Sequence, residues 1–155
     1  MQQHDPSDLQ HMAEALRLAE QAAAEGEVPV GALVVHDGRV IATAYNTREH
    51  DQDFSAHAEF IAMREAARVL GSWRLVECTV YVTLEPCAMC AGAMVQARIE
   101  RCVFGASDPK GGYLGSLGDL SSEQRLNHQF DVTGGVMGEA CGRTLKRFFR
   151  ALRRR

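Results

Sequence analysis

Two short segments restrict the fold of this chain more than any other feature. Residues 57–59 read His-Ala-Glu, and residues 86–90 read Pro-Cys-Ala-Met-Cys. Each segment stands at the predicted start of a helix that follows strand-forming sequence. Two cysteines separated by two residues at a helix start lie on one face, and the helix N-terminus favours their thiolate form. If these side chains act together, the fold must bring two helix N-termini to one point.

His57, Cys87 and Cys90 would supply one nitrogen and two sulfur ligands, a donor set suited to a zinc ion (Zn2+). Three protein ligands leave the fourth tetrahedral position open for water, as in catalytic zinc sites. Bound zinc lowers the pKa of water to about 7, and Glu59 is close enough in sequence to take the proton and return it to a ring nitrogen. This combination is the known signature of zinc-dependent nucleobase deaminases. The two segments therefore predict one zinc ion per subunit and a hydrolytic deamination.

Other uses of the same residues stay open at this point. A Cys-x-x-Cys pair also serves disulfide exchange, although a redox pair has no need of a distant histidine. A structural zinc site would require a fourth protein ligand, for which His50 and Cys102 are the nearest candidates without motif-like spacing. A zinc module that only binds RNA or a protein is the third alternative, but such a module has no use for Glu59.

The order of the predicted elements indicates the fold class. We expect a helix, a hairpin, a helix, a strand, a helix, a strand, a loop, a strand and a final helix. The supporting signals are Asp5-Pro6 and Gly26 around the first helix, Asp37-Gly38 at the hairpin turn, Ser55 and Gly71 around the second helix, strand-like runs at 79–84, 102–104 and 130–132, Pro86 before the third helix, and apolar spacing over 138–153. The chain is therefore predicted to be one α/β domain over residues 1–155, with a mixed five-stranded sheet in a three-layer α/β/α arrangement.

Charge is distributed unevenly along the chain. Residues 1–142 contain 10 Lys and Arg against 20 Asp and Glu, whereas residues 143–155 contain seven basic residues and no acid. A basic block at one end of a chain often contacts a polyanion, but cations also suit a helix C-terminus.

Five cysteines without an export signal, and no apolar run long enough to cross a bilayer, favour a cytoplasmic protein without disulfides or membrane contact.

Over about residues 8–150, the chain resembles the bacterial tRNA-specific adenosine deaminases of the cytidine-deaminase-like superfamily. The zinc motif marks the superfamily, and the segments after it narrow the resemblance to this family. The matching segments are 28–32 (VPVGA), 45–46 (YN), 56–59 (AHAE), 81–93 (YVTLEPCAMCAGA), 103–106 (VFGA), 108–110 (DPK), 115–117 (GSL), 127–128 (NH) and 148–150 (FFR). The resemblance implies a cytidine-deaminase-like fold and hydrolytic conversion of adenosine to inosine at the wobble position of a tRNA anticodon.

The resemblance also implies partners and residue roles. The partner would be a tRNA anticodon stem-loop, bound by a homodimer in which the second subunit helps to shape the RNA site. The zinc ligands would be His57, Cys87 and Cys90, with Glu59 as the proton shuttle. Substrate-binding roles are implied for Asn46 as a polar contact to the flipped nucleotide, for Pro29, Val30 and Leu84 in the base pocket, for the backbone of Ala58 and Glu85 at its border, and for Asp108, Lys110, Phe149 and Arg150 at the anticodon loop.

Three residues depart from the family in the loop assigned to RNA. Ser107 stands where the family usually has arginine, and Tyr113 and Leu114 stand where small residues are usual. A bulkier loop tip would tighten the pocket or pack against the partner subunit.

The rival substrate is a free base, nucleoside or nucleotide of the guanine or cytidine type, because enzymes acting on these share the zinc motif. The Asp-Pro-Lys segment and the basic C-terminus favour RNA.

Overall fold

A computed structural model of the chain describes residues 3–154, and Met1, Gln2 and Arg155 lie outside the described residues, the last of them in the predicted basic end. The elements in chain order are α1 (Pro6–Ala24), β1 (Gly31–His36), β2 (Arg39–Tyr45), α2 (Arg48–Asp51), α3 (Ala58–Leu70), β3 (Cys78–Leu84), α4 (Ala88–Ala97), β4 (Arg101–Ala106), β5 (Asp131–Thr133) and α5 (Gly138–Arg153). None of the helices within this described part is long and apolar enough to cross a membrane.

The five strands form one mixed sheet in the order β2-β1-β3-β4-β5. β1 pairs antiparallel with β2 and β3, whereas β3, β4 and β5 run parallel to one another. The turn between β1 and β2 consists of Asp37 and Gly38, both with positive φ, as a tight two-residue hairpin requires. The predicted α/β class and the five-stranded mixed sheet are confirmed.

Side chains of the strands alternate between the two faces of the sheet, and helices cover both faces. Val80 and Val82 pack in a core with Met63 of α3 and Met94 of α4. Between them, Tyr81 points to the opposite face, which is covered by α1 and α5. The three-layer arrangement places the starts of α3 and α4 on the same side of the sheet.

The packing of α1 on the sheet depends on a glycine. A Cβ atom on Gly31 would lie 2.0 Å from the carbonyl oxygen of Ala15, so no larger residue fits at the start of β1. β1 leads into the hairpin, and Val30, the residue directly before Gly31, borders the cavity described below. This close approach therefore helps to fix one wall of the site.

Two helices begin later than the sequence predicts. Ser55 does not cap α3, because its N–H and hydroxyl both donate to Asp53, and His57 is the N-cap residue instead. Likewise α4 does not begin at Pro86: Cys87 is its N-cap residue, and its first helical residue is Ala88. The reason is that Ser55 forms a local side-chain turn with Asp53, which competes with capping. These shifts place two expected zinc ligands at N-cap positions.

The short helix α2 was not predicted. The buried carboxylate of Glu27 accepts hydrogen bonds from the N–H groups of Glu49 (3.0 Å) and His50 (2.7 Å), which holds the first turn of α2. Because Glu27 lies far back along the chain, local sequence at residues 48–51 carries little signal for this helix. Its position matters, since its first residue reaches the cavity described below.

A buried polar cluster ties α1 to the sheet on the face away from α3 and α4. Asp8 is 3% exposed and accepts hydrogen bonds from the Tyr81 hydroxyl (2.6 Å) and from the Arg101 guanidinium (2.9 and 2.6 Å). Burial raises the pKa of Asp8, but the hydrogen bonds from Arg101 and Tyr81 outweigh it and lower the pKa below its usual value. The ionised carboxylate is thus the form that the fold stabilises.

Candidate metal centre and substrate pocket

His57, Cys87 and Cys90 come together as the sequence predicts. The Nδ1 atom of His57 lies 3.6 Å from the sulfur of Cys87 and 3.6 Å from the sulfur of Cys90. A tetrahedral zinc ion, bonded at about 2.3 Å to sulfur and about 2.0 Å to nitrogen, would place its ligand atoms about 3.5–3.8 Å apart. The three donors therefore fit a zinc ion without rearrangement, and the histidine in the cluster favours a metal site over a redox pair.

The starts of the two helices explain why the donors are free to bind a metal. His57 is the N-cap residue of α3 and Cys87 is the N-cap residue of α4, yet neither side chain caps its own helix. Their extended backbones point the side chains away from the helix axes, and Cys90 adds its sulfur from the first turn of α4. Two helix N-termini thus face one point, where their dipoles favour thiolate sulfur.

The cluster leaves the fourth tetrahedral position without a protein ligand. Within residues 3–154, the group that could hold a metal consists of these three residues, and neither His50 nor Cys102 belongs to it. This arrangement is that of a catalytic zinc site, since structural sites are closed by four protein ligands.

The two thiols of the cluster shift each other's pKa in opposite directions. Hydrogen bonding from Cys90 lowers the pKa of Cys87 to about 4, against the opposing effect of burial and with a further contribution from His57. The same contact, together with burial, raises the pKa of Cys90. A metal ion that binds both sulfurs would displace the proton on Cys90, so zinc binding would release protons.

Glu59 lies beside the cluster without being part of it. The side chain is 4% exposed and borders the same cavity as His57 and Cys87. Burial raises the pKa of Glu59 to about 7. A carboxyl group with such a pKa exchanges protons readily near neutral pH, as a general acid and base must.

A cavity of about 610 Å³ opens over the metal cluster. This volume falls within the range typical of small-molecule sites. Eight of the ten predicted substrate-binding residues border the cavity: Val30, Asn46, Ala58, Leu84, Glu85, Asp108, Lys110 and Phe149. The other two do not. Pro29 is fully buried, and Arg150 is exposed on α5 outside the cavity.

Four further residues border the cavity that the sequence did not point to as contacts: Val28, Arg48, Ser107 and Leu145. Leu145 lies one helical turn before Phe149, so the spacing within α5 could have identified it. Arg48 had no such signal, because α2 carries it to the cavity and Glu27 holds α2 in place. The cavity therefore holds two cations, Arg48 and Lys110, rather than one.

The amide of Asn46 is largely committed to the protein. Asn46 is 6% exposed, accepts a hydrogen bond from the Arg48 N–H (3.0 Å) and donates one to the carbonyl oxygen of Val28 (3.2 Å). One N–H and one acceptor position of the amide stay available for a ligand. Asn46 thus both orients the start of α2 and retains the means to bind a base or ribose.

The carboxylate of Glu85 organises the loop from residue 108 to residue 116. Glu85 is 2% exposed, and its two oxygens accept hydrogen bonds from the N–H groups of Asp108 (2.9 Å), Leu114 (3.0 Å) and Ser116 (3.0 Å), and from the Ser116 hydroxyl. The loop wraps so closely that a Cβ on Gly112 would lie 2.2 Å from the Glu85 carboxyl carbon. Burial raises the pKa of Glu85, but these hydrogen bonds outweigh it and lower the pKa. Sequence reasoning identified only the backbone of this residue.

The bulky residues at the loop tip pack inward. Leu114 is 5% exposed and belongs to the core shared by α3 and α4, and Tyr113 packs against the same core. Neither residue borders the cavity. Neither side chain therefore tightens the pocket, because Leu114 lies in the interior and Tyr113 packs against it, and contact of this loop with a partner subunit stays a prediction. Ser107, in contrast, does border the cavity.

Comparisons with known proteins find similarity to deaminases. The chain matches the sequence profile of the MafB19-like deaminases over residues 6–153. The tRNA-specific adenosine deaminase of Bacillus subtilis is 52% identical over 148 residues, which cover 96% of this chain and 92% of that protein. A structure from a study of A-to-I editing by tRNA:A34 deaminases at the wobble position of transfer RNA superimposes with a TM-score of 0.85 at 43% identity, covering 88% of this chain and 99% of the other. Guanine deaminase from Bacillus subtilis is a more distant neighbour, with a TM-score of 0.61 at 37% identity over 63% of each chain.

Proposed function

The chain belongs to the family of tRNA-specific adenosine deaminases, and we propose that it hydrolyses adenosine to inosine at the wobble position of a tRNA anticodon. The observation that carries this proposal is the pairing of a three-ligand metal cluster with the buried Glu59 at the base of one cavity. Deamination needs water activated at one point and a proton carrier beside it. The whole chain would act as a single catalytic domain.

The residues of the site divide the chemistry among them. His57, Cys87 and Cys90 would hold one zinc ion, which when bound would supply the Lewis acidity that lowers the pKa of water towards about 7. Glu59 would accept a proton from the attacking water and deliver it to a ring nitrogen of the base. Glu59 would then carry the second proton of the water to the exocyclic amine, so that the C–N bond breaks, ammonia leaves and the water oxygen becomes the carbonyl oxygen of inosine. Because Glu59 is 4% exposed, bulk water would not compete for this proton transfer.

The base would leave its stack in the RNA to enter the cavity, because the target atom of a stacked base is out of reach of an enclosed site. Val30 and Leu84 would form the apolar walls, and the free N–H of Asn46 would donate to the nucleotide. Lys110 and Arg48, both at the cavity, would attract the phosphates on either side of the flipped nucleotide. Phe149 would offer a face on which a neighbouring base stacks.

Arg150 and Asp108 would act at the rim. Asp108 accepts hydrogen bonds from the N–H groups of Lys110 (3.1 Å) and Gly111 (3.2 Å), so it shapes the loop that presents Lys110. Arg150 is exposed next to Phe149, where it would contact a phosphate of the anticodon loop. Pro29 would support the pocket from behind, since its ring is fully buried.

The functional unit would be a homodimer in the cytoplasm, where tRNA is modified. An apolar groove of about 460 Å³ between α3 and α4 supports a second copy, because it exposes Trp73 (59% exposed) beside Phe60 and Met89. Apolar patches of this kind mark protein contacts. Sedimentation velocity should show a dimer, and Trp73→Asp should shift it towards monomer relative to Phe54→Asp, since Phe54 is a still more exposed apolar residue (83%) that does not border the groove.

The substrate is tested by offering the purified, zinc-loaded protein an anticodon stem-loop with a wobble adenosine beside free adenosine, guanine and cytidine. We expect inosine to form in the stem-loop alone, detected by mass spectrometry of the digested RNA. A stem-loop with guanosine at the wobble position is the matched control and should stay unchanged. Turnover of the small molecules without turnover of RNA would contradict the proposed substrate.

A further inference from the structure

One wall of the cavity is built by two segments that are distant in sequence. Val28 and Val30 precede β1, whereas Asn46 and Arg48 follow β2, and all four border the cavity. The first residue of β1 pairs with the last residue of β2, so the antiparallel pairing brings the two segments side by side. Beyond the end of the sheet, other contacts must hold the segments together.

Glu27 joins the two segments from outside the cavity. Its side chain is 2% exposed and is not one of the groups that border the cavity. One carboxylate oxygen accepts a hydrogen bond from the N–H of Glu49 (3.0 Å), and the other accepts one from the N–H of His50 (2.7 Å). Within residues 3–154 Glu27 forms no salt bridge, so these N–H groups of α2 are what its buried carboxylate binds.

The short helix α2 depends on acceptors from outside because it does not cap itself. The first N–H groups of a helix have no partner within the helix. Thr47, the N-cap residue, does not supply one, since its hydroxyl donates to Asp51 (2.7 Å). The side-chain oxygen of Asn46 accepts from the N–H of Arg48 (3.0 Å), and Glu27 accepts from the next two. Without Glu27, two of these three N–H groups would lose their acceptors.

We propose that Glu27 is a positioning residue for RNA binding, acting through Arg48 at the cavity. The inference rests on the proposed RNA substrate and identifies the residue that keeps a cation next to the flipped nucleotide. A helix of four residues has little stability of its own, so the turn that begins at Arg48 would unwind without these acceptors. The guanidinium of Arg48 would then no longer be directed to the cavity.

Two other roles for Glu27 predict different results. A negative charge near bound RNA repels it, so if charge alone mattered, removal of Glu27 would tighten RNA binding. A carboxylate that only stabilises the fold would alter the free energy of unfolding and leave RNA binding unchanged. A positioning role predicts weaker RNA binding with a smaller dependence on salt, because a phosphate contact is lost.

Asp8 provides a matched control for burial and charge. It is 3% exposed, accepts hydrogen bonds on both oxygens and does not border the cavity. Glu27→Gln and Asp8→Asn each replace one buried carboxylate by an amide of nearly the same shape. Both variants therefore change the net charge equally, and both remove a hydrogen-bond acceptor from the interior.

The experiment measures the binding of an anticodon stem-loop at salt concentrations from about 50 to 200 mM. The wobble adenosine is replaced by guanosine, so that binding is measured without inosine formation. The proteins are wild type, Glu27→Gln, Arg48→Gln, the double variant Glu27→Gln/Arg48→Gln and Asp8→Asn. Glu27→Asp, which keeps the charge but is one methylene shorter, carries the comparison if Glu27→Gln does not fold. Circular dichroism and zinc content establish that each protein is folded and loaded.

Glu27→Gln should reproduce the loss of RNA binding in Arg48→Gln. One lost phosphate contact in a single-stranded loop lowers the slope of log Kd against log salt by about 0.7, so the gap in Kd from wild type should narrow about 2.5-fold over this range. The double variant should bind as Arg48→Gln does, since Glu27 then has no cation to position. Asp8→Asn should keep the wild-type Kd and slope. On the adenosine-containing stem-loop, KM should rise in Glu27→Gln while kcat stays near the wild-type value, because Glu59 and the metal ligands are unchanged.

Wild-type or tighter RNA binding in Glu27→Gln would overturn the proposal, and so would an equal loss in Asp8→Asn. It would also be overturned if Arg48→Gln bound RNA as wild type does, or if the loss in the double variant were the product of the two single losses, because Glu27 would then act independently of Arg48. Failure of the proposed function would look different, since the wild-type protein would form no inosine in any RNA. The binding assay uses an RNA without the reactive adenosine and so is independent of turnover.

Discussion

Replacing Glu85 by glutamine should loosen the loop at residues 108–116 without removing the metal. In the wild-type protein one oxygen accepts from the N–H groups of Leu114 and Ser116, and the other accepts from the Asp108 N–H and the Ser116 hydroxyl. A glutamine amide can keep its oxygen towards the first pair. Its NH₂ group then faces the second pair, where the hydroxyl can turn and accept but the Asp108 N–H cannot.

One buried N–H group is therefore left without an acceptor in Glu85→Gln. An unsatisfied buried donor costs about 1–3 kcal/mol, so the free energy of unfolding should fall by that amount, measured by urea denaturation. Because Asp108 and Lys110 lie in the same loop, KM for an anticodon stem-loop should rise more than kcat falls. Zinc content should stay at one ion per chain, since none of the three ligands is changed.

Ser116→Ala provides the matched comparison. Alone, it removes one hydroxyl donor and leaves three N–H groups on the carboxylate, so it should cost less than Glu85→Gln. In the double variant Glu85→Gln/Ser116→Ala, no hydroxyl remains to accept a hydrogen bond from the glutamine NH₂ group. The loss in free energy of unfolding should then exceed the sum of the losses in the two single variants. Additive costs, or a Glu85→Gln protein with wild-type stability and KM, would refute this account of the loop.

Four further predictions concern the metal centre, the fold and the cavity. Glu59→Gln should keep zinc and stability but lower kcat by about 10²-fold or more, because the proton carrier is lost; near-normal turnover would remove Glu59 from the mechanism. Cys87→Ala should lose zinc by metal analysis, and chelation of the wild type should abolish an activity that added zinc restores; zinc retained in the variant would contradict the ligand set. The lowered pKa of Asp8 contributes stability that is present above its unfolded value of about 3.9 and is lost as pH falls through the folded pKa. Asp8→Asn should therefore lower the free energy of unfolding by about 2 kcal/mol or more at neutral pH, and this difference from wild type should vanish in unfolding curves measured below the folded pKa. A difference that persists in acid would exclude the ionised carboxylate as its cause. Ser107→Arg should add a cation at the cavity and steepen the salt dependence of RNA binding by about 0.7 in log–log slope, and an unchanged slope would show that position 107 does not face RNA.

The metal centre could be predicted from sequence because its signals are local. Cys87 and Cys90 are one helical turn apart, and Pro86 marks the start of their helix. His57 and Glu59 lie within two residues of each other at a second helix start. The long-range step was to assume that both helix starts meet. They meet because β2 and β3 both run antiparallel to β1 and so end at the same edge of the sheet, and because α3 and α4 pack on the same face.

The parts that sequence did not predict depend on carboxylates that accept hydrogen bonds from groups with another expected role. Glu27 holds α2, and α2 brings Arg48 to the cavity, although nothing near residue 48 signals a helix. Ser55 is a good capping residue by type, yet the neighbouring Asp53 takes both of its donors. A carboxylate decides both cases: Glu27, distant in sequence, creates a helix without local signal, and Asp53, two residues away, prevents a cap that residue type alone favours.

The departures from the family at the RNA loop are unequal in their consequences, and the contacts of the loop explain why. Leu114 and Tyr113 pack into the core, while Glu85 holds the backbone of the same loop through its hydrogen bonds. The loop is thus fixed from two sides, and the bulk at its tip adds buried surface without reaching the cavity. Ser107 is the departure that reaches the cavity, where the resemblance leads us to expect an arginine in its place. We therefore expect the chain to bind RNA with one cation fewer at this loop, which the salt dependence of the Ser107→Arg variant measures.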